Sequence, residues 1–323
     1  MEKIGKNILT LCLIAALLFS FSACNHSPAP NAKGKVIHIS ISTSYGTTTS
    51  NIMKEYGLLE ACLPDGYSVE WHFMTSASDM RDALVSGDLD IVCTSLPTFI
   101  TAYENGTPLQ LISFAGSVPI GLYGNDPSIV SLSDFDSNDH LAAKSKGNNG
   151  HIAFLIACQL ELGNAMALDD QISTIQEADA LALLQSSNDY QAGIFSFPMT
   201  IKAEKAGLHQ IISFNDIIKD YGIGSTYFTR QDFYEQEPKV IAALREAQRQ
   251  ALELISNDPE GVAAKLSPIF ELDEEYILTA LGEMPPCAEY SGYNKLATLL
   301  FDIGLLEKEP TAFEDLANYE DIK

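Results

Sequence analysis

SGDLDIVCTSLPTFITAYENG, residues 86–106, sets the frame of this chain, because SNDYQAGIFSFPMTIKAEKAG, residues 187–207, repeats its plan at an offset of 101 residues. Ser86, Asp88, Ser95, Pro97, Ala102 and Gly106 fall on Ser187, Asp189, Ser196, Pro198, Ala203 and Gly207. Each copy reads as a short apolar strand (89–93 and 190–194), a Ser-x-Pro turn, and a helix that ends at glycine. The same offset carries upstream, where Ser44-Tyr45-Gly46 after a strand over 36–42 falls on Ser145-Lys146-Gly147 after a strand over 141–143. Two similar α/β units in one chain predict two lobes; the competing explanation is chance agreement between small residues in two unrelated turns.

At 323 residues the chain exceeds the size at which one apolar core stops growing, so about two domains are expected. A hydrophobic content of 46% fits a globular protein. Acidic residues outnumber basic ones 43 to 19, giving a formal charge of -24. That balance argues against nucleic acid or an anionic lipid surface as partner, since counterion release needs clustered cations and Arg81, Arg230, Arg245 and Arg249 are scattered.

Residues 1–23 read as a targeting segment. Lys3 and Lys6 precede the apolar run ILTLCLIAALLFSF, too short for a comfortable membrane span, which ends in Ser22-Ala23-Cys24. The pattern resembles a bacterial lipoprotein signal, with Phe21 where leucine is usual. The resemblance implies cleavage before Cys24, its diacylation, and a protein held on the outer side of a bacterial membrane by two chains, where a single chain holds only marginally. An ordinary secretory signal with an incidental cysteine is the alternative. Residues 24–35, rich in polar residues with Pro and Gly, read as a flexible tether.

The remaining cysteines, Cys62, Cys93, Cys158 and Cys287, are widely spaced and lack a Cys-x-x-Cys pair, so free thiols are the favoured reading; a disulfide in an exported protein is the alternative, and spacing does not decide its pairing. The six histidines show no metal-ligand spacing, so neither a metal site nor a cofactor is expected. Asp88 with Asp90, and Glu274 with Glu275, read as a strand start and a solvated helix face rather than catalytic pairs.

In chain order, strand and helix alternate in both halves. Strands are expected over 67–73 and 109–115, and a helix capped by Ser76 or Ser78 and closed by Gly87. The chain leaves the first lobe near Ser117-Val118-Pro119 and returns through 225–229. Mostly helix follows, with Val240, Ile241, Leu244, Ala247 and Ala251 on one face behind Pro238. The expected division is lobe I over 36–117 and 226–323, lobe II over 118–225.

The segment SGDLDIVCTSLPTFITAYENGTPLQLISF, followed by SIVSLSDF and preceded by the signal and tether, is similar to the nitrate/sulfonate/taurine group of ABC-transporter solute-binding proteins, which includes thiamine-precursor-binding relatives. The similarity covers nearly the whole chain after the signal. It departs at Asp136-Ser137-Asn138-Asp139-His140, where family members commonly carry a Gly-rich Lys-Gly-Lys segment. The resemblance implies a type 2 periplasmic-binding-protein-like α/β fold, with a cleft between lobes joined by two crossing strands. It also implies a monomer that closes on a small solute and delivers it to a membrane permease and its ATPase.

In open α/β sheets ligands sit beyond the carboxyl ends of the strands, where loops feed helices whose first N–H groups lack partners. Ser44, Tyr45, Gly46, Thr75, Ser76, Thr94 and Ser95 are therefore expected on one wall of the cleft, and Gly147, Asn148, Asn149, Gly150, Phe195 and Ser196 on the other. The loop KGNNGH is the most specific of these, since its glycines let backbone approach a solute and the following helix favours anionic or oxygen-rich groups. An anion would draw on Lys144, Lys146 or Arg81; a ring would draw on Tyr45, Phe99, Tyr123, Phe195 or Phe197, most of which read equally as core. The first reading is a binding protein without covalent chemistry. Enzymes of menaquinone and thiamine-pyrimidine synthesis share the architecture, and a ligand sensor shares every feature.

Overall fold

The ten strands fall into two five-stranded sheets built to one plan. β1 (Ile37–Thr43), β2 (Tyr67–Phe73), β3 (Ile91–Ser95), β4 (Leu109–Gly116) and β10 (Ser225–Arg230) form the first, in the order β2-β1-β3-β10-β4. β5 (Ile120–Gly124), β6 (Leu141–Ala143), β7 (Ile172–Thr174), β8 (Ala192–Ser196) and β9 (His209–Ser213) form the second, in the order β7-β6-β8-β5-β9. In each, the fourth strand runs antiparallel to both neighbours, and β1 and β6 pair in parallel with the strands on either side. β3 and β8 occupy the same place, at the 101-residue offset of the sequence repeat. The computed structural model describes residues 37–44 and 46–322; the signal segment, Cys24, the tether and Tyr45 lie outside the described residues.

Helices cover both sheets for reasons visible in the chain. α1 (Thr49–Tyr56) and α2 (Leu58–Cys62) meet at Gly57, whose positive φ of 64° ends the first and starts the second. α3 (Ala77–Ser86) takes Ser76 as its N-cap, the serine hydroxyl accepting the Asp79 N–H at 3.3 Å. α4 (Leu96–Glu104) is capped by Ser95, and α5 (Asn149–Leu162) by Asn148. α6 (Glu177–Ser186) and α7 (Met199–Lys205) follow β7 and β8, and α8 (Asn215–Tyr221) follows β9. After β10 the chain is helical, from α9 (Gln231–Gln236) through α10 (Pro238–Asn257), α11 (Pro259–Phe270), α12 (Glu274–Glu283) and α13 (Tyr293–Asp302) to the short α14 (Tyr319–Ile322). α10 buries Val240, Ile241, Leu244, Ala247 and Ala251 as one stripe, the face its periodicity predicts.

The largest apolar cluster belongs to both sheets. Val92, Phe99, Leu111 and Phe228 join Leu122, Leu141, Ile152 and Phe154, with Leu296 and Leu300 of α13 between them. A second cluster packs β1 and β3 against α10 and α11, and a third lies under α6 and α7 around Phe195. The two crossings between the sheets touch: the Ser117 hydroxyl donates to the Ile223 carbonyl at 2.7 Å, and Leu96 N–H donates to the Gly224 carbonyl at 2.8 Å. Cys62, Cys93, Cys158 and Cys287 are all free thiols, and burial pushes Cys93 and Cys158 up to about 12. No helix among the described residues is long and apolar enough to cross a membrane.

Candidate functional site

β3 and β8 end in matching serines, and the loops beside them enclose a cavity of about 90 Å³, room for a small solute. Ser44, Thr75, Ala77, Met80, Thr94, Ser95 and Ser225 line it from the first sheet; Lys144, Asn148, Asn149, Gly150, Glu177, Ile194 and Ser196 line it from the second. Ala143 of β6 and, at the crossing, Val118 and Ile120 complete the lining. A wider recess of about 350 Å³ beside Tyr123 and Glu204 is closed by Tyr276, Thr279, Ala280 and Glu283 of α12 and takes none of the strand-end serines Ser95 and Ser196.

On the first wall, Asn51 of α1 fixes the loop after β1. Its amide donates to the carbonyls of Ser44 and Gly46, both at 2.7 Å. Gly46 has φ of 148°, and a Cβ there would lie 3.2 Å from a Val118 methyl, so glycine is the residue that fits between loop and crossing. Ser95 accepts the Thr98 N–H at 3.3 Å and shares a hydrogen bond of 2.6 Å with the Thr98 hydroxyl. Thr94 is only 7% exposed, and its hydroxyl has no hydrogen-bond partner among the described residues.

The second wall is held by charge. The Asn148 side chain accepts the His151 N–H at 2.9 Å, and His151 Nδ1 accepts the Gly147 N–H at 3.0 Å. That bond leaves the ring proton on Nε2, which donates to Asp169 Oδ1 at 2.7 Å. Lys146 Nζ reaches Asp169 Oδ2 at 2.7 Å and the Asp169 carbonyl at 3.0 Å. Burial holds His151 below its ordinary value, against the opposing pull of the Asp169 hydrogen bond. Burial works to raise the Asp169 carboxyl, but hydrogen bonds from Lys146 and His151 outweigh it and the group sits low. Gly150 lets α5 lie against β8, since a Cβ would come within 2.9 Å of the Ile194 Cγ2. The amides of Asn149 and Gly150, in the first turn, have no intrahelical partner, and the side-chain Oδ1 of Asn149 is buried without one.

Of the thirteen residues expected at the cleft, Ser44, Thr75, Thr94, Ser95, Asn148, Asn149, Gly150 and Ser196 line it. Gly46, Ser76 and Gly147 stand behind the lining and shape the loops, and Tyr45 is outside the described residues. Phe195 corrects the expectation: alternation along β8 points Ile194 and Ser196 at the cleft and turns Phe195 into the core, edge-to-face with Tyr123 at 6.1 Å. Lys146 is occupied by Asp169, and exposed Arg81 pairs with Asp82 at 2.7 Å, which leaves Lys144 as the lysine of the lining. Sequence reasoning missed Glu177. Its signal was the position of an acid at the start of a helix whose counterpart α3 starts with Ala77. No group of three or more metal-binding side chains occurs among the described residues.

No family model and no curated protein matches the chain. Among solved structures it is similar to the periplasmic aliphatic sulphonate binding protein of Escherichia coli, at 20% identity over 88% of this chain and 99% of that one, with a TM-score of 0.68. The alkanesulfonate-binding protein of Xanthomonas axonopodis pv. citri bound to MOPS gives 17% identity over 84% and 95%, with a TM-score of 0.71. The periplasmic nitrate-binding protein of Synechocystis PCC 6803 gives 18% over 76% and 69%, with a TM-score of 0.59. At these identities the likeness is one of fold, and the fold is the two-lobed α/β fold of periplasmic binding proteins.

Proposed function

We propose that this chain is an extracytoplasmic solute-binding protein of an ABC importer, which captures a small solute between lobes and hands it to a membrane permease driven by an ATPase. The observation that carries the reading is the cleft itself, lined from both sheets by strand-end hydroxyls and by the free amides at the start of α5. Lobe I comprises 36–117 and 226–323, lobe II 118–225, and closure is a rotation about the touching crossings. The chain works as a monomer, held to the outer face of a bacterial membrane through diacylated Cys24 on the tether over 24–35.

Purification of the tagless protein, release of bound solute by denaturation and mass spectrometry is expected to yield one small molecule that rebinds at one per chain. The same cells carrying Cys24→Ala are expected to release the protein from the membrane fraction. A chain that binds no small molecule, or that stays membrane-bound after Cys24→Ala and a carbonate wash, contradicts the corresponding half of the proposal.

A further inference from the structure

The wider recess, of about 350 Å³, shares Ile120 with the cleft and opens between two separately packed bodies. Tyr123, Thr200 and Glu204 line it on one side, where Tyr123 and Ala203 belong to the cluster around Phe195. Tyr276 and Glu283 of α12 line it on the other, where Ile277 and Leu281 of the same helix pack in the cluster of β1 and β3.

Glu204 lies in the last turn of α7 and Glu283 is the last residue of α12, the helix ends at which the dipole disfavours an acid. The last turn of α12 has no basic residue. Lys202 and Lys205 of α7 are engaged elsewhere, with Glu271 at 3.3 Å and Asp273 at 3.5 Å. No cation among the described residues pairs with Glu204 or Glu283. Neutral donors hold one oxygen of each: the Tyr123 hydroxyl donates to Glu204 Oε1 at 3.1 Å, and Asn215 Nδ2 donates to Glu283 Oε2 at 3.1 Å. Burial, and after it the charge of Glu204, pushes the Tyr123 phenol up, so it keeps the proton it donates. Glu204 Oε2 and Glu283 Oε1 have no partner among the described residues.

Thr200 is 4% exposed, and its hydroxyl has no hydrogen-bond partner among the described residues. That hydroxyl is not one of the sealed interior atoms, so the surface it keeps opens into the recess it lines. A buried hydroxyl left open beside two unanswered carboxylates marks a place for a ligand with N–H donors. Phe197, Ile201 and Ala280 make the rest of the lining apolar, and Tyr276 offers a ring on which Lys205 Nζ already rests, 4.3 Å from its centroid.

We propose that this recess is a second binding site, separate from the cleft, for a small organic cation that carries primary ammonium groups on an alkyl chain. The ammonium groups meet Glu204, Glu283 and Thr200, and the chain lies against Phe197 and Ile201, so the ligand ties α7 to α12. A metal ion is the poorer match, since no group of three or more metal-binding side chains occurs among the described residues. The site does not depend on what the cleft holds.

The test titrates butane-1,4-diamine, with butane-1,4-diol as its uncharged match, into the mature chain by calorimetry. The diamine is expected to bind at one per chain and the diol to give no signal. Glu204→Gln and Glu283→Gln each keep an acceptor for Tyr123 or Asn215 and remove the charge, and each is expected to weaken the diamine roughly 5- to 50-fold. Melting curves without diamine are expected to match the parent, which separates lost binding from lost folding. Glu177→Gln, in the cleft, is expected to leave diamine affinity unchanged. Absence of diamine binding, equal binding of the diol, or binding that survives both glutamine variants overturns the inference. So does loss of the diamine in Glu177→Gln, which would put it in the cleft, or its displacement by an equal concentration of calcium, which would make the recess a metal site.

Discussion

Ser95 and Ser196 end equivalent strands of equivalent sheets, yet they do opposite things. Ser95 turns inward on its own helix, capping α4 through Thr98. Ser196 turns sideways and gives both its donors to Glu177, and the Phe197-Pro198 bond that follows is cis where the matching bond before Pro97, the second residue of α4, is trans. The loops before them differ in the same sense: neutral Asn51 pins the loop after β1, whereas Asp169 with Lys146 and His151 pins the loop after β6. A repeated backbone plan has thus been given one neutral wall and one charged wall. Both charged side chains of the lining, Lys144 and Glu177, come from the side of the second sheet, and the side of the first supplies hydroxyls.

The contrast breaks most severely at Gly150. A Gly150→Val side chain meets the Ile194 Cγ2 and must push α5 off β8, so overpacking is expected to cost about 1 to 3 kcal/mol and to abolish solute binding. Gly87→Val, at a lobe I helix end with open space, carries only the strain of its φ of 88°, about 1 to 2 kcal/mol, and leaves binding unchanged. Thermal melting and calorimetry on the two variants separate the cases; equal loss of binding in both would show that the close approach of α5 to β8 is not what matters.

Acid is expected to loosen the charged wall first. His151 in the folded chain sits below the ordinary value of 6.5, so just under that pH the unfolded chain holds more protons than the folded one. Stability from this group is full above 6.5 and declines as the pH falls from there toward the folded value. Protonated Nδ1 also loses its bond from Gly147, at the start of α5. The low-lying Asp169 carboxyl adds its own loss only below 3.8. Melting temperature is expected to drop between neutral pH and pH about 5, and His151→Gln to flatten that slope; an identical slope in the variant would assign the sensitivity to another group.

The smallest effects come from the two serines. Ser95→Ala removes a helix cap and is expected to lower stability by about 0.5 to 2 kcal/mol. Ser196→Ala leaves stability nearly unchanged, but it releases one of two bonds that aim Glu177, and affinity for the solute is expected to fall by about 0.5 to 1.5 kcal/mol. Melting curves and calorimetry read the two losses separately, and the reverse assignment would undo the comparison.

The frame was legible because the repeat is written in residues whose backbone roles are narrow. The Ser-x-Pro turns put β3 and β8 in register, and the stripe from Val240 to Ala251 announced α10. Chemistry was less legible. Lys146 looked available for an anion, since nothing in KGNNGH reveals that Asp169, far along the chain, returns to occupy it. Glu177 was not singled out at all, and only the fold shows that it faces the same space as Ala77. Phe195 was misplaced because an aromatic beside a site and one in the core differ by a single residue of alternation.

Strand β10 lies between β3 and β4 in the first sheet, yet more than a hundred residues separate it from either in the chain, and the whole second sheet is made in between. The second sheet has no such gap, since β5, which fills the equivalent place, precedes its neighbours. A chain that emerges N-terminus first on the far side of a membrane can therefore complete the second sheet while the first still exposes two unpaired strand edges. The half that is finished first is the half that carries Lys144 and Glu177, the charged side chains of the cleft lining, and the half that waits is the one with strand edges to protect.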